Sequence, residues 1–86
     1  MKASKQTIVD VRTPEEYKGG HVAGSINIPL QQVPARLNEF ADLPQPLVLC
    51  CTSGNRSGQA VAYLREQGIT CENGGSWRSV NELVNQ

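Results

Sequence analysis

Leu47-Val48-Leu49-Cys50-Cys51-Thr52-Ser53-Gly54-Asn55-Arg56-Ser57-Gly58 is the stretch on which the fold turns, because an apolar run ends there in a cysteine and a short polar loop. The apolar residues Leu47 to Cys50 follow the breakers Pro44 and Pro46, and they read as a buried strand of the parallel-sheet kind. From Ser57, the run Gly58 to Gln67 is a good helix former closed by Gly68. Cys51 therefore stands at the carboxyl end of a strand, beside a helix N-terminus, where open α/β sheets bind ligands. A free cysteine is only about 3% ionised at pH 7, whereas one facing a helix N-terminus and a cation ionises far more readily. Cys51 is thus expected to be a nucleophile. Thr52, Ser53, Gly54, Asn55 and Arg56 can curl so that successive N–H groups point inward, a concave anion nest whose curvature Gly54 permits and whose charge Arg56 reinforces.

Working outward, Ile8, Val9 and Val11 mark a strand over residues 6–11. Thr13-Pro14-Glu15-Glu16 carries an N-cap, a proline at the first helical position and acids in the first turn, so a short helix runs through Tyr17 and Lys18 to Gly19-Gly20. Ser25 to Ile28 reads as a strand stopped by Pro29. Leu30, Val33, Leu37 and Phe40 are spaced for a helix over 30–40 with Pro34 in its first turn. Ile69 to Glu72 reads as a short strand, Asn73-Gly74-Gly75 as a turn, and Trp77 to Val84 as a closing helix with Val80, Leu83 and Val84 on one side. Alternating strands and helices predict an α/β fold with right-handed crossovers, a small open parallel sheet of four to five strands flanked by helices on both faces.

Cys-x-x-Gly-x-Arg-Ser between a buried strand and a helix resembles the active-site loop of the rhodanese (sulfurtransferase) family. Residues 8–29 resemble the family's other signature, with Asp10-Val11-Arg12, Glu16-Tyr17, Gly20-His21-Val22, Gly24-Ser25 and Asn27-Ile28-Pro29 in order. The likeness covers nearly the whole chain and is greatest to the single-domain type of the phage-shock protein E group. It implies a spatial strand order of 69–72, 47–51, 7–11, 25–28. The family usually carries a further strand ahead of Asp-Val-Arg, for which Met1 to Lys5 leave little room.

The resemblance implies sulfur transfer through a Cys51 persulfide, from a donor such as thiosulfate to a thiophilic acceptor: cyanide in the laboratory, a small thiol or protein cysteine physiologically. Thr52 to Arg56 then bind the anion. Asp10, Arg12 and Ser57 support the loop, against the plainer reading of Asp10 and Arg12 as a surface ion pair. Arg56 either faces the anion or turns back to a carboxylate, and Glu16 is helix surface or an arginine's partner. His21 belongs to an architectural turn, and Trp77 is core cover or the roof of the pocket. Because side chains alternate along a strand, Cys50 points away from Cys51 into the core. Cys71 is also read as packing.

Other chemistries fit less well. Cysteine phosphatases hold a tetrahedral oxyanion with the arginine six positions after the nucleophile; here Arg56 lies five after Cys51 and the sixth is Ser57. A sulfur carrier or protein-binding module is the remaining alternative. No cofactor is called for, and one histidine with no paired Cys-x-x-Cys argues against a zinc site.

The bulk numbers bound the rest. At 86 residues the chain reads as one domain, with only about 60–65% of its unfolded surface hidden on folding. Eight basic and eight acidic residues balance to zero, against a nucleic-acid or membrane-surface partner. No stretch approaches a membrane span, and Met1 to Thr7 has no apolar run after its lysines, so a soluble cytoplasmic chain is expected, or a periplasmic one if a leader has been removed. Three cysteines, an odd count, leave at least one free thiol. With no coiled coil and no spare apolar stripe, a monomer is expected.

Overall fold

Five consecutive buried residues, Leu47–Cys51, form β3, an inner strand of the sheet. The computed structural model describes residues 7–85. Beside β3 lie β1 (Thr7–Asp10) and β4 (Cys71–Ser76), with β2 (Ile26–Asn27) outside β1, and every pair is parallel. The spatial order is the one the resemblance implied. The further strand ahead of Asp-Val-Arg would fall on residues outside those described.

Alternation along β3 divides the core in two. Leu47, Leu49 and Cys51 face one side, where Val9 and Val11 join Phe40 of α2 (Leu37–Asp42) and Ala60, Val61 and Leu64 of α3 (Asn55–Glu66). Val48 and Cys50 face the other, with Ile8, Val22 and Val80 of α4 (Trp77–Val84). Helices thus cover both faces, as parallel strands require. α1 (Pro14–Lys18) is started by a full capping box: the Glu16 N–H donates to Thr13 Oγ1 at 3.2 Å, and the Thr13 N–H donates to Glu16 Oε1 at 3.0 Å.

β1 and β2 are a residue or two shorter than the sequence reading, and three larger differences stand beside them. The helix expected over 30–40 is a 3₁₀ turn at Leu30–Gln32 followed by α2, with Pro34 between them rather than inside a first helical turn. Proline has no N–H to donate and its ring crowds the carbonyl four residues back, so the coil stops and restarts. Helix α3 begins at Asn55, two residues early, because Gly54 adopts φ +96° and caps it; the helix N-terminus is thereby brought closer to Cys51.

The third difference matters most. Asn73-Gly74-Gly75 is not a turn after a strand at 69–72 but the middle of β4. The register passes from Leu49–Asn73 to Cys50–Gly75, so Gly74 is the extra residue of a bulge. A Cβ built on Gly74 would lie 2.7 Å from both Val48 Cγ1 and Val80 Cγ2 and 3.2 Å from the Leu49 carbonyl oxygen. The glycine is there for close approach, not for reversal.

Gly74→Ala is expected to lower the unfolding free energy by about 1–3 kcal/mol through overpacking. Gly24→Ala meets open space at φ +84° and should cost only about 1 kcal/mol of backbone strain. Urea denaturation of the two variants checks this; equal losses would contradict the packed-bulge assignment.

Candidate active site

The sulfur of Cys51 is held by the chain that immediately follows it. The Gly54 N–H donates to Sγ at 3.0 Å and the Ser57 N–H at 3.5 Å, and Ser57 Oγ stands 3.4 Å away. These donors exist because β3 ends at Cys51 and Gly54 turns the chain into α3, whose first N–H groups have no helical partner. Asn55 and Arg56 add two such amides, neither paired to a backbone carbonyl among the described residues.

Burial raises the Cys51 thiol, but hydrogen bonds from the Ser57 hydroxyl and from the Ser57, Gly54 and Ser53 amides outweigh it, and the pKa falls below the ordinary 9.0. Cys50, on the opposite face, is pushed up to about 12 by burial and then by the Asp10 charge. Burial also raises Cys71. Three free thiols therefore divide into one poised to ionise and two that stay protonated. The sign of the linkage follows: the stability gained from ionised Cys51 is fully present above the ordinary cysteine pKa and lost as pH falls through the lowered one.

Arg56 turns back to a carboxylate. Its Nη1 and Nη2 donate to Glu16 Oε1 and Oε2 at 2.8 and 3.0 Å, a two-pronged pair that ties α1 to the first turn of α3 across the loop. Thr52 Oγ1 joins the same group, 3.3 Å from Arg56 Nη2 and 3.4 Å from Glu16 Oε2. The Arg56 hydrogen bond, with help from the Thr13 amide, draws the Glu16 pKa down to about 2. The pair is solvent-accessible, so its worth is modest. This brace is fully formed above the ordinary glutamate pKa and is lost as pH falls through about 2.

Asn73 is the residue that the sequence reading missed. Its Oδ1 accepts from Ser57 Oγ at 2.7 Å and from the Gly75 N–H at 2.9 Å, and its Nδ2 donates to the Gly54 carbonyl at 2.9 Å. The side chain thus links β4 to both Gly54 and Ser57, two of the residues whose amides bond the sulfur. Ser57 has one hydroxyl proton for two acceptors. At 2.7 against 3.4 Å the shorter contact is to Asn73, and an ionised Cys51 would compete for the same proton as a charge-assisted acceptor.

Asp10 and Arg12 require correction. They are 0% and 4% exposed, a buried pair and not a surface one. Arg12 Nε and Nη2 grip the Asp10 carboxylate at 2.7–3.0 Å, and Nη2 also donates to the Gly20 carbonyl at 2.6 Å. None of their side-chain hydrogen bonds reaches residues 51–57, so direct support of the loop falls to Glu16, Asn73 and Ser57. The Arg12 guanidinium lies 4.9 Å over the Trp77 ring. Trp77 is partly buried against the second core cluster and also borders a cavity of about 480 Å³ with Arg12, Glu16, Thr52, Ser76 and Arg78. It is both cover and wall. His21 places Nδ1 2.7 Å from the Tyr17 carbonyl and stacks on the Tyr17 ring, contacts within its own turn.

Removing the Ser57 hydroxyl should be visible at the sulfur. Ser57→Ala is expected to raise the Cys51 pKa, read from ultraviolet thiolate absorbance against pH, whereas Cys50→Ser leaves it in place. An unchanged titration in Ser57→Ala would show that the hydroxyl never serves the anion.

The rhodanese-like domain description matches residues 1–82. Protein YqhL of Bacillus subtilis is 44% identical over 66 residues, covering 77% of this chain and 52% of YqhL. Thiosulfate sulfurtransferase PspE of Escherichia coli is 40% identical over 74 residues, covering 84% of this chain and 71% of PspE. The chain thus spans about half the length of the first relative and about seven tenths of the second. The structure of a rhodanese with anions from E. coli aligns with a TM-score of 0.77 at 38% identity, over 86% of this chain and 89% of that one. Both signature blocks, the parallel sheet and the loop around Cys51 fall inside the matched range, and this chain belongs to the rhodanese-like family.

Proposed function

We propose that this chain is a sulfurtransferase that takes sulfane sulfur from a small anionic donor such as thiosulfate and passes it to a thiol. The observation that carries the reading is the pair of backbone N–H groups, from Gly54 and Ser57, directed at Cys51 Sγ. The assigned activity of PspE as a thiosulfate sulfurtransferase supports the donor class.

In the first half-reaction the Cys51 thiolate attacks the outer sulfur of thiosulfate. A sulfur–sulfur bond to Cys51 forms, the bond to the sulfonate sulfur breaks, and its electron pair leaves with sulfite. The outer sulfur remains as a Cys51 persulfide anion. Sulfite is a stable leaving group, so no general base is needed, and His21 has no part in the step. What the protein supplies is a thiol already drawn toward ionisation and fixed N–H donors where the negative charge arrives. Thr52, Ser53, Asn55 and Arg56 contribute their amides to the donor's binding, with Gly54 and Ser57 holding the nucleophile. Arg56 acts through Glu16 as a brace and through its charge as a source of positive potential. Phosphate-ester chemistry is disfavoured because that arginine is already engaged by a carboxylate.

A thiosulfate:cyanide assay of wild type, Cys50→Ser, Cys51→Ser and Cys71→Ser tests the reading. Only Cys51→Ser is expected to abolish transfer. Mass spectrometry after thiosulfate treatment should find one added sulfur atom on the Cys51 peptide; its absence, or full activity in Cys51→Ser, overturns the proposal.

A further inference from the structure

The partners of the Asn73 carboxamide fix where a proton lies. The Gly75 N–H can only donate, and it meets one end of the amide at 2.9 Å; the Gly54 carbonyl can only accept, and it meets the other end at 2.9 Å. These two partners allow one orientation of the amide, with Oδ1 toward Ser57. Oδ1 has no proton to give. Across the 2.7 Å contact Ser57 Oγ is therefore the donor, and its single hydrogen is directed at Asn73. Cys51 Sγ, 3.4 Å from the same hydroxyl oxygen, is the second claimant on that hydrogen. The fold makes room for the arrangement. A Cβ on Gly58 would stand 3.2 Å from Asn73 Nδ2, and one on Gly54 would stand 3.2 Å from the Gly75 Cα. Glycine inside a helix is unfavourable, yet Gly58 lies in the first turn of α3, where it lets the amide of β4 come against the helix.

We propose that Asn73 is a positioning residue for the Cys51 nucleophile and acts through Ser57: it competes with the sulfur for the one hydroxyl proton and so limits how strongly the thiolate is held. The main-chain N–H groups of Gly54 and Ser57 already favour the anion. A full hydroxyl bond added to them would give more thiolate but a weaker one, because attack on sulfur slows as the thiolate is stabilised, with a Brønsted slope of about 0.4–0.5. By drawing the hydroxyl to itself, Asn73 keeps Cys51 both ionisable and reactive.

The inference rests on the sulfur-transfer reading for its kinetic consequence alone; the competition for the proton is a property of the free protein. Charged groups stand around the pair on β1, α1, α3, β4 and α4. Among the described residues Asp10, Glu16, Arg56, Arg65, Glu72 and Arg78 make no hydrogen bond to Ser57 or Asn73, so substitutions at those two positions leave these charges with their own partners.

The test is a double-mutant cycle on Ser57 and Asn73 in protein carrying Cys50→Ser and Cys71→Ser, with the Cys51 pKa read from ultraviolet thiolate absorbance. The change caused by Asn73→Ala is expected to lie lower when Ser57 is present than in Ser57→Ala, by about half to one pH unit, the worth of one hydrogen bond. Asn73→Asp supplies a stronger acceptor and is expected to couple with the opposite sign; it decides the matter alone where Asn73→Ala does not fold. Equal changes in both Ser57 backgrounds, or couplings of reversed sign, overturn the proposal. In kcat/KM for thiosulfate, the acid limb should follow the titrated pKa across the cycle, and the high-pH plateau should fall about threefold per unit of lowering. A plateau that does not follow the pKa overturns the role in catalysis. The two readings fail separately. A persulfide that forms on Cys51 without coupling sinks this inference alone, whereas coupling in a protein that takes no sulfur from thiosulfate sinks the transfer reading and leaves the proton competition standing.

Discussion

Everything in this molecule that bears on chemistry depends on the N–H groups of Gly54 and Ser57 converging on one sulfur atom. A buried thiol in an apolar setting resists ionisation, as Cys50 does. Cys51 is also closed to solvent, at 1% exposure, but lies less deep, and it shifts the other way. The difference between these adjacent residues is geometric. One points into an apolar cluster beside the Asp10 charge, and the other into the first turn of a helix, where unpaired amides supply the missing solvation.

Convergence of this kind is an unfavourable arrangement for a loop unless something outside it enforces it. Two side chains from distant parts of the chain do so. Glu16, at the third position of α1, spends one carboxylate on its own helix start and on Arg56 of α3. Asn73, lifted out of regular pairing by the bulge at Gly74, holds Gly54 from one side and Ser57 from the other. The sheet contributes by putting β1, β3 and β4 side by side with their carboxyl ends level, so that α1, α3 and the end of β4 meet around a single residue. On the far side of the same edge, the Asp10–Arg12 pair does a separate job. It fixes the turn at Gly20 and a cation beneath Trp77, and so shapes the cavity instead of the loop.

How much of this was legible beforehand differs from element to element for physical reasons. The strand at 47–51 was plain because a buried parallel strand is apolar on both faces, and the division of labour between Cys50 and Cys51 followed from the two-residue period. The helix start at Thr13 was plain because capping is a local interaction. Arg56 was undecidable, since a guanidinium five positions from the nucleophile reaches either a ligand or a carboxylate, and only the fold brings Glu16 within range. Asn73 was hidden by its own neighbours: Asn-Gly-Gly is a strong turn signal locally, and only packing against Val48 and Val80 turns those glycines into a bulged strand. Pro34 misled in a smaller way, because apolar spacing at 30, 33, 37 and 40 ignores the missing N–H that splits the helix. Asp10 and Arg12 were seen as a pair, but the cover over the Arg12 guanidinium comes from Trp77, far off in the chain.

The most direct measurement is a titration of the Cys51 thiol in isolation, in a protein carrying Cys50→Ser and Cys71→Ser so that a single sulfur absorbs. Convergent amides predict a folded-state pKa below that of the same cysteine in the urea-unfolded chain, with the shift abolished on unfolding. A folded value equal to or above the unfolded one would mean that burial wins at Cys51 as it does at Cys50, and that the loop does not prepare a nucleophile.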